Sequence, residues 1–385
     1  MRSLDTTLGL GMAAREAVRA GLDRTLPGPA AIPLRIHEVN EHWLGTALGL
    51  RPGAITSVHV LDGHSGTAAR ARITVKSDSG EVPEQLFVKL PPRNYLQHVL
   101  MNVFHLGTRE VIAYRALGAN PPVRVPRCYV AQCDRLRRRS ILVLEDLSGS
   151  AQFRTVVDTV TRAEAAAVID AMADLHLMFW GSSRFADDLR PLTVRTTADL
   201  RLGDLIRRRF LHEITGHTKD LIPESMKRQC RIFYQRSADI DAFWAAQPQT
   251  LIHGDPHLGN LFFTDTGPGF LDWQIATAGV GIRDVAYFAN ASVEPDLLRT
   301  IERELVERYA ARLTAAGIGV DLERQWTLYR AGITELFLAA VCTAEAGERM
   351  QPFEVSRVGV ERAVAGAAAH DSFAVLASLV DGKRV

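Results

Sequence analysis

The sequence predicts an α+β fold with two lobes, an antiparallel β-sheet N-lobe followed by a mainly helical C-lobe. Between Ile55 and Leu90 apolar residues alternate with polar ones, and Asp-Gly and Ser-Gly turns punctuate the runs. From Thr161 onward the apolar residues recur at helical spacing. One stretch interrupts those helices: Leu251–Asn260 and Gly269–Gln274 read as strand, loop and strand, rich in His, Asp, Asn and Gly.

Composition sets the outer bounds. The 385 residues are 47% hydrophobic and 23% charged, an ordinary globular balance for about two domains. Lys+Arg 45 against Asp+Glu 44 leaves a formal charge of +1, so no broad basic field recruits nucleic acid or an anionic membrane. Cys128, Cys133, Cys230 and Cys342 are too few for a disulfide framework and lack metal-site spacing, which fits a reduced, cytoplasmic protein. No apolar run reaches the roughly eighteen residues of a spanning helix. Met1–Gly11 lacks the apolar core and cleavage site of a signal peptide. There is no solenoid-period repeat and no low-complexity tract.

The first fifty residues read as helical and peripheral, with a short amphipathic helix over Leu34–Leu50. Gly9-Leu10-Gly11-Met12-Ala13-Ala14 matches a dinucleotide fingerprint as a string, but almost no chain precedes it to form the required strand. Strands follow at Ile55–Leu61, Ala69–Val75 and Gln85–Leu90. The intervening loop, with Gly63, Ser65 and Gly66, is placed to lay backbone N–H groups over phosphates. Lys89 ends an apolar strand, where a cation needs a partner. A helix over Gln97–Leu117 offers Glu110. Strands at Val125–Cys133 and Ser140–Leu144 flank a basic run, 134–139, that reads as a solvated hairpin tip. Glu145 to Leu147 then passes from strand to turn, and the chain divides into a β-rich lobe, 1–147, and a helical lobe, 148–385.

Beyond that boundary Thr161-x-x-Glu164 is a capping box opening a helix to Trp180, in which His176 reads as a buried structural histidine. Leu189–Trp244 and Asp296–Leu379 read as helical, with Phe210, Phe233, Phe243, Trp244, Trp326 and Phe337 mostly core. Arg283-Asp284 opens a helix after the loop, and Asp284 is expected to brace that loop through backbone bonds.

An Asp followed by four residues and an Asn, with a second Asp beyond the next turn, is the spacing by which kinase catalytic loops carry a base and two metal ligands. In that reading Asp255 accepts the proton of an attacking hydroxyl, and Asn260 and Asp272 offer hard oxygens to Mg²⁺. Two other readings compete. His253, Asp255 and His257 form a possible transition-metal cluster of a metallohydrolase, which leaves Asn260 and Asp272 without a role. A pseudokinase would bind nucleotide without turnover, and the retention of all three polar residues argues against it.

With these residues assembled, the chain resembles the aminoglycoside phosphotransferase and choline kinase superfamily, and most closely its ecdysteroid-kinase-like branch. The resemblance is carried by Lys89, Arg109-Glu110 to Tyr114, Val143 to Leu147, Leu175-His176, His253-Gly254-Asp255 to Asn260, Asp272-Trp273-Gln274 and Arg283 to Tyr287. It implies a protein-kinase-like fold, ATP and Mg²⁺, Lys89 on the nucleotide phosphates paired with Glu110, and Glu145 and Leu147 beside the adenine edge. It also implies a small hydroxylated acceptor. Gln274, where many aminoglycoside kinases carry an acid, points away from an aminoglycoside substrate.

Overall fold

The computed structural model describes residues 2–25, 32–65, 68–134, 136–193, 197–211, 214, 216–347 and 351–382. They form two compact units. The first comprises Met1–Pro121, Val125–Ala151 and Asp272–Ile275, the second Pro122–Arg124, Gln152–Leu271 and Ala276–Val385.

In the first unit, helices α1 (Arg2–Thr25) and α2 (Glu41–Ala47) precede strands β1 (Ile55–Ser65), β2 (Ala69–Ser77) and β3 (Gln85–Leu90). Helices α3 (Tyr95–Val103) and α4 (Leu106–Leu117) follow, then β4 (Cys128–Asp134) and β5 (Arg139–Glu145). The strands form a five-stranded sheet in the order β1-β2-β3-β5-β4, with every neighbouring pair antiparallel. Alternation along a strand sends Ala71, Ile73 and Val75 of β2, and Leu86, Val88 and Leu90 of β3, to one face. There most of them join Leu44, Ile55, Ile141 and Val143 in the core. Arg70 and Lys89 are directly opposite in the β2–β3 register and share the other face.

Several details depart from the sequence reading. The single helix expected over Gln97–Leu117 is two, because His105 takes a left-handed conformation (φ 57°) between them. Over 34–50 only a 3-10 turn and α2 form. The residues of the dinucleotide-like string lie inside α1, with no strand before them. Strand β1 runs on to Ser65, so Gly63, expected in the turn, pairs with Ala71 in the ladder. Gly66 and Thr67 lie outside the described residues.

The basic run is the largest correction. Arg139 is buried. Its Nε donates to Asp23 Oδ2 at 2.7 Å and its Nη1 to the Ile32 carbonyl at 2.8 Å. Arg137 stands 3.7 Å from Asp23, and Arg138 lies 2.7 Å from His105 Nδ1. Helix α1 buries two acids, Glu16 and Asp23, and a buried carboxylate needs cations beside it. The arginines therefore hold α1 onto the sheet.

The second unit begins with β6 (Gln152–Phe153) and α5 (Arg162–Phe179). Helices α6 (Arg190–Thr193), α7 (Thr197–Leu211), α8 (Glu224–Gln229), α9 (Ile232–Gln235) and α10 (Ser237–Ala245) follow. Then come strands β7 (Thr250–Ile252), β8 (Leu261–Thr264), β9 (Gly267–Phe270) and β10 (Thr277–Gly279). Helices α11 (Ile282–Ser292), α12 (Pro295–Ala315), α13 (Leu322–Glu345), α14 (Phe353–Ala369) and α15 (Ser372–Val380) complete it. Strands β6, β8 and β9 form one small sheet, β7 and β10 another. Phe233, Trp244 and Phe337 are core residues, and Phe210, Phe243 and Trp326 are half-buried. No single described helix is long and apolar enough to cross a membrane.

Helix α5 starts on the predicted capping box, with Thr161 and Glu164 bonded reciprocally. Arg154 also bonds the Glu164 carboxylate. That contact first, with the Thr161 bonds and against some desolvation, lowers the carboxyl from 4.5 to about 2. A group whose folded value is depressed contributes stability above its unfolded value and loses it as pH falls through the folded one. Glu164→Ala is expected to cost about 0.5–2 kcal/mol at pH 7, measured by urea unfolding. The gap from the unsubstituted protein should close as pH falls from 4.5 toward about 2. A gap independent of pH would contradict the assignment.

Candidate active site

Strand β7 delivers the chain to His253-Gly254-Asp255. Gly254 has φ 83°, a conformation open to glycine and strained for side-chain-bearing residues. Gly259 has no such φ; its missing Cβ instead leaves room for the His257 ring, about 3.0 Å away. The loop start is held by Asp284 on α11. The carboxylate accepts the His253 amide at 2.6 Å and the Gly254 amide at 2.9 Å, the bracing role read from the sequence.

Behind Asp284 sits His176 of α5, fully buried. Its Nδ1 is 2.9 Å from the Tyr309 hydroxyl and its Nε2 is 3.3 Å from Asp284 Oδ2. Burial pushes the Tyr309 phenol well above its ordinary value, so the hydroxyl keeps its proton and donates to Nδ1. His176 then carries its own proton on Nε2 and donates to Asp284. Burial disfavours the Asp284 charge, but the hydrogen bond from the His176 Nε2–H, the neighbouring His253 imidazole and the Gly254 amide outweigh it. The carboxyl sits below its usual range.

Asp255 has both oxygens engaged. Oδ1 accepts the Tyr287 hydroxyl at 2.6 Å, and Oδ2 accepts Asn260 Nδ2 at 3.2 Å. The same Nδ2 donates to the Asp255 backbone carbonyl at 2.9 Å. Tyr287 ends the Arg283–Tyr287 stretch, and the sequence alone gives it no role. It stands three residues after Asp284 on α11, and that spacing puts both on one helix face. Burial, then the Asp255 charge, raises the Tyr287 phenol far above its ordinary value, so it remains a donor.

His253 Nε2 donates to the Leu271 carbonyl at 2.7 Å, and Nδ1 accepts the Asp255 amide at 3.4 Å. With Nε2 protonated and Nδ1 occupied, His253 has no lone pair for a metal, which removes the metallohydrolase cluster. Among the described residues no group of three or more His, Cys, Asp or Glu side chains is arranged to hold a metal ion.

In the first unit, Lys89 is buried. Its Nζ donates to Glu110 Oε1 at 2.8 Å and to Asp272 Oδ1 at 3.0 Å. Burial raises the Glu110 carboxyl above its ordinary value, opposed by the Lys89 ammonium. Asp272 Oδ2 accepts from Arg70 Nη2 at 3.0 Å, a contact the sequence reading missed. The signal was available in the predicted hairpin, whose pairing sets Arg70 opposite Lys89. Asp272 has φ 57°, a left-handed conformation that Asp tolerates better than most residues. Gln274 is buried, and its Nε2 has no hydrogen-bond partner among the described residues.

The strand-to-turn segment behaves differently from its neighbours. Glu145 spends its amide on the Arg127 carbonyl and its carboxylate on the Arg127 amide. The Leu147 carbonyl accepts from Ser150 and Ala151, while its own N–H donates to no described residue.

Asn260 and Asp272 each carry an oxygen donor of the kind a hard divalent cation takes. Asn260 commits its amide nitrogen to Asp255, so the side-chain oxygen faces no partner among the described residues. Asp272 supplies a carboxylate, and oxygen donors of these two kinds are what Mg²⁺ prefers. Asn260 accepts the Leu271 amide on its backbone carbonyl at 2.8 Å, and Asp272 is the next residue in the chain.

Over residues 64–326 the sequence matches the model of a family described as the phosphotransferase enzyme family. No curated protein matches the chain. Among solved structures, the GDP and kanamycin complex of APH(2")-IIia is 13% identical, the match covering 85% of this chain and 97% of that one at TM-score 0.51. The GDP complex of wild-type aminoglycoside 2'-phosphotransferase-IIIa is 15% identical, covering 86% and 99% at TM-score 0.50. A choline/ethanolamine kinase family protein from Mesorhizobium loti is 15% identical, covering 88% and 98% at TM-score 0.47. The first two share the fold that the sequence predicts.

Asp284→Asn presents an NH₂ group to one of the donors that the carboxylate satisfied. Each buried donor left unpaired costs about 1–3 kcal/mol. Hydrogen exchange should show the His253 and Gly254 amides losing protection well before those of α13. Unchanged protection would mean that Asp284 does not hold the loop.

Proposed function

The chain belongs to the phosphotransferase enzyme family, and on that premise we propose that it moves the γ-phosphoryl group of ATP to a hydroxyl of a small molecule. The observation that carries this reading is Lys89, a buried cation bonded at once to Glu110 and to Asp272. Outside a phosphate site, a lysine with two acidic partners is a costly burial. Inside one, it is a positioned charge for phosphate oxygens.

In the reaction the acceptor oxygen forms a bond to the γ-phosphorus as the bond to the bridging oxygen of ADP breaks. The acceptor proton passes to the Asp255 carboxylate. Tyr287 and Asn260 hold that carboxylate by one oxygen each, and this fixes its direction. Asn260 and Asp272 are the residues that would hold Mg²⁺, which when bound neutralises charge on the phosphate oxygens. Lys89 binds phosphate oxygens, with Glu110 orienting its ammonium. The Leu147 N–H and the Glu145 carbonyl are assigned to the adenine edge, which the partnerless Leu147 amide supports. The backbone of Gly63, Ser65 and Gly66 is assigned to the phosphates.

The acceptor is assigned to hydroxylated small molecules other than the amino sugars. Gln274, in place of an acid, supports this and supports the ecdysteroid-kinase-like branch. All four cysteines are free, which supports a reducing, cytoplasmic setting. Neither nucleic acid nor membrane is assigned as a partner.

An ADP-release screen over hydroxylated small molecules tests the reaction. Asp255→Ala should lower kcat by about 10²–10⁴-fold, the usual contribution of a general base, while ATP binding persists. Full turnover by that variant would remove Asp255 from the mechanism. Tyr287→Phe should lower kcat about tenfold with the KM for ATP unchanged, since it loses one hydrogen bond to a charged group. A rise in that KM alone would place Tyr287 in nucleotide binding instead.

A further inference from the structure

We propose that Arg70 is a second cation of the phosphate site, parked on Asp272 until metal and nucleotide arrive. The proposal rests on the phosphotransfer reading above and adds a residue to it. Arg70 on β2 stands directly opposite Lys89 on β3, and like charges so placed repel unless an anion lies between them. Asp272 is that anion: Arg70 holds Oδ2 and Lys89 holds Oδ1, each at 3.0 Å. With Glu110 the set contains two cations and two carboxylates, and its formal charge is zero.

A divalent metal at Asp272 ends that balance, because it places two further positive charges against two cations. One of them must move. Lys89 is held in place: its side chain is 7% exposed and also bonded to Glu110. Arg70 is free to go. Its side chain is 42% exposed, and it has no other hydrogen bond or ion pair among the described residues. Its guanidinium is also the better shape for phosphate, since a planar fork meets two oxygens at once. When metal takes the Asp272 carboxylate, the guanidinium turns to the phosphate oxygens that the nucleotide brings. Arg70 thus keeps metal off Asp272 in the empty protein and binds phosphate in the loaded one.

The two roles give Arg70→Ala effects of opposite sign. Mn²⁺ titrated into the protein without nucleotide, with free metal followed by electron paramagnetic resonance, should bind several-fold more tightly to the variant. MgATP, followed by calorimetry, should bind about tenfold more weakly, the loss of a charge-assisted contact to phosphate. Arg70→Lys, which keeps the charge and loses the fork, should fall between. Both affinities falling together, or neither moving, overturns the proposal. Asp272→Asn separates this from the parent reading. If Asp272→Asn binds MgATP as tightly as the unsubstituted protein, the metal assignment itself fails. If it binds weakly while Arg70→Ala changes nothing, only the role of Arg70 falls.

Discussion

One buried carboxylate fixes the loop on which the proposed chemistry depends. Asp284 accepts the amides of His253 and Gly254 at the point where the chain leaves β7. Its burial would ordinarily disfavour a charge, but it is surrounded by donors: two backbone amides and the Nε2–H of His176, itself set by the Tyr309 hydroxyl. Three elements therefore meet on one side chain, α5 through His176, α12 through Tyr309 and α11 through Asp284 itself. The left-handed turn at Gly254 follows from this anchoring, and it aims Asp255 at Tyr287 one helical turn beyond Asp284.

The β-rich unit solves a different problem with a similar device. Sheet alternation places Arg70 and Lys89 on the face opposite the apolar core. Two cations there require acids, and Glu110 from α4 and Asp272 supply them. The result is a set of charges that is balanced without a ligand and is made of the groups proposed to bind phosphate and metal. Asp272 keeps a left-handed backbone conformation within this set, and unusual backbone conformations held by strong surrounding contacts cluster at functional sites.

Much of this was legible in the sequence. Period-two alternation located β3 to the residue and placed Lys89 on it, and the capping box marked the start of α5. The bracing role of Asp284 and the burial of His176 followed from their positions in apolar helices. What was hidden lay in tertiary pairing. The arginines of 137–139 read as a solvated tip because nothing local reveals that α1 buries Glu16 and Asp23 against them. The break at His105 depends on a left-handed residue that is not glycine, which propensity does not signal. The roles of Tyr287 and Arg70 are hidden because their partners are distant in sequence, though helix spacing and strand register carry both hints.

Asp255, Asn260, Asp272 and Lys89 are proposed to serve one metal–nucleotide complex. A crystal grown with ADP and Mn²⁺, with the metal located by its anomalous scattering, tests this most directly. Manganese is expected about 2.0–2.5 Å from the Asn260 side-chain oxygen and the Asp272 carboxylate, with Lys89 on the nucleotide phosphates. Manganese bound at His253 and His257, or a nucleotide seated away from Lys89, would contradict it.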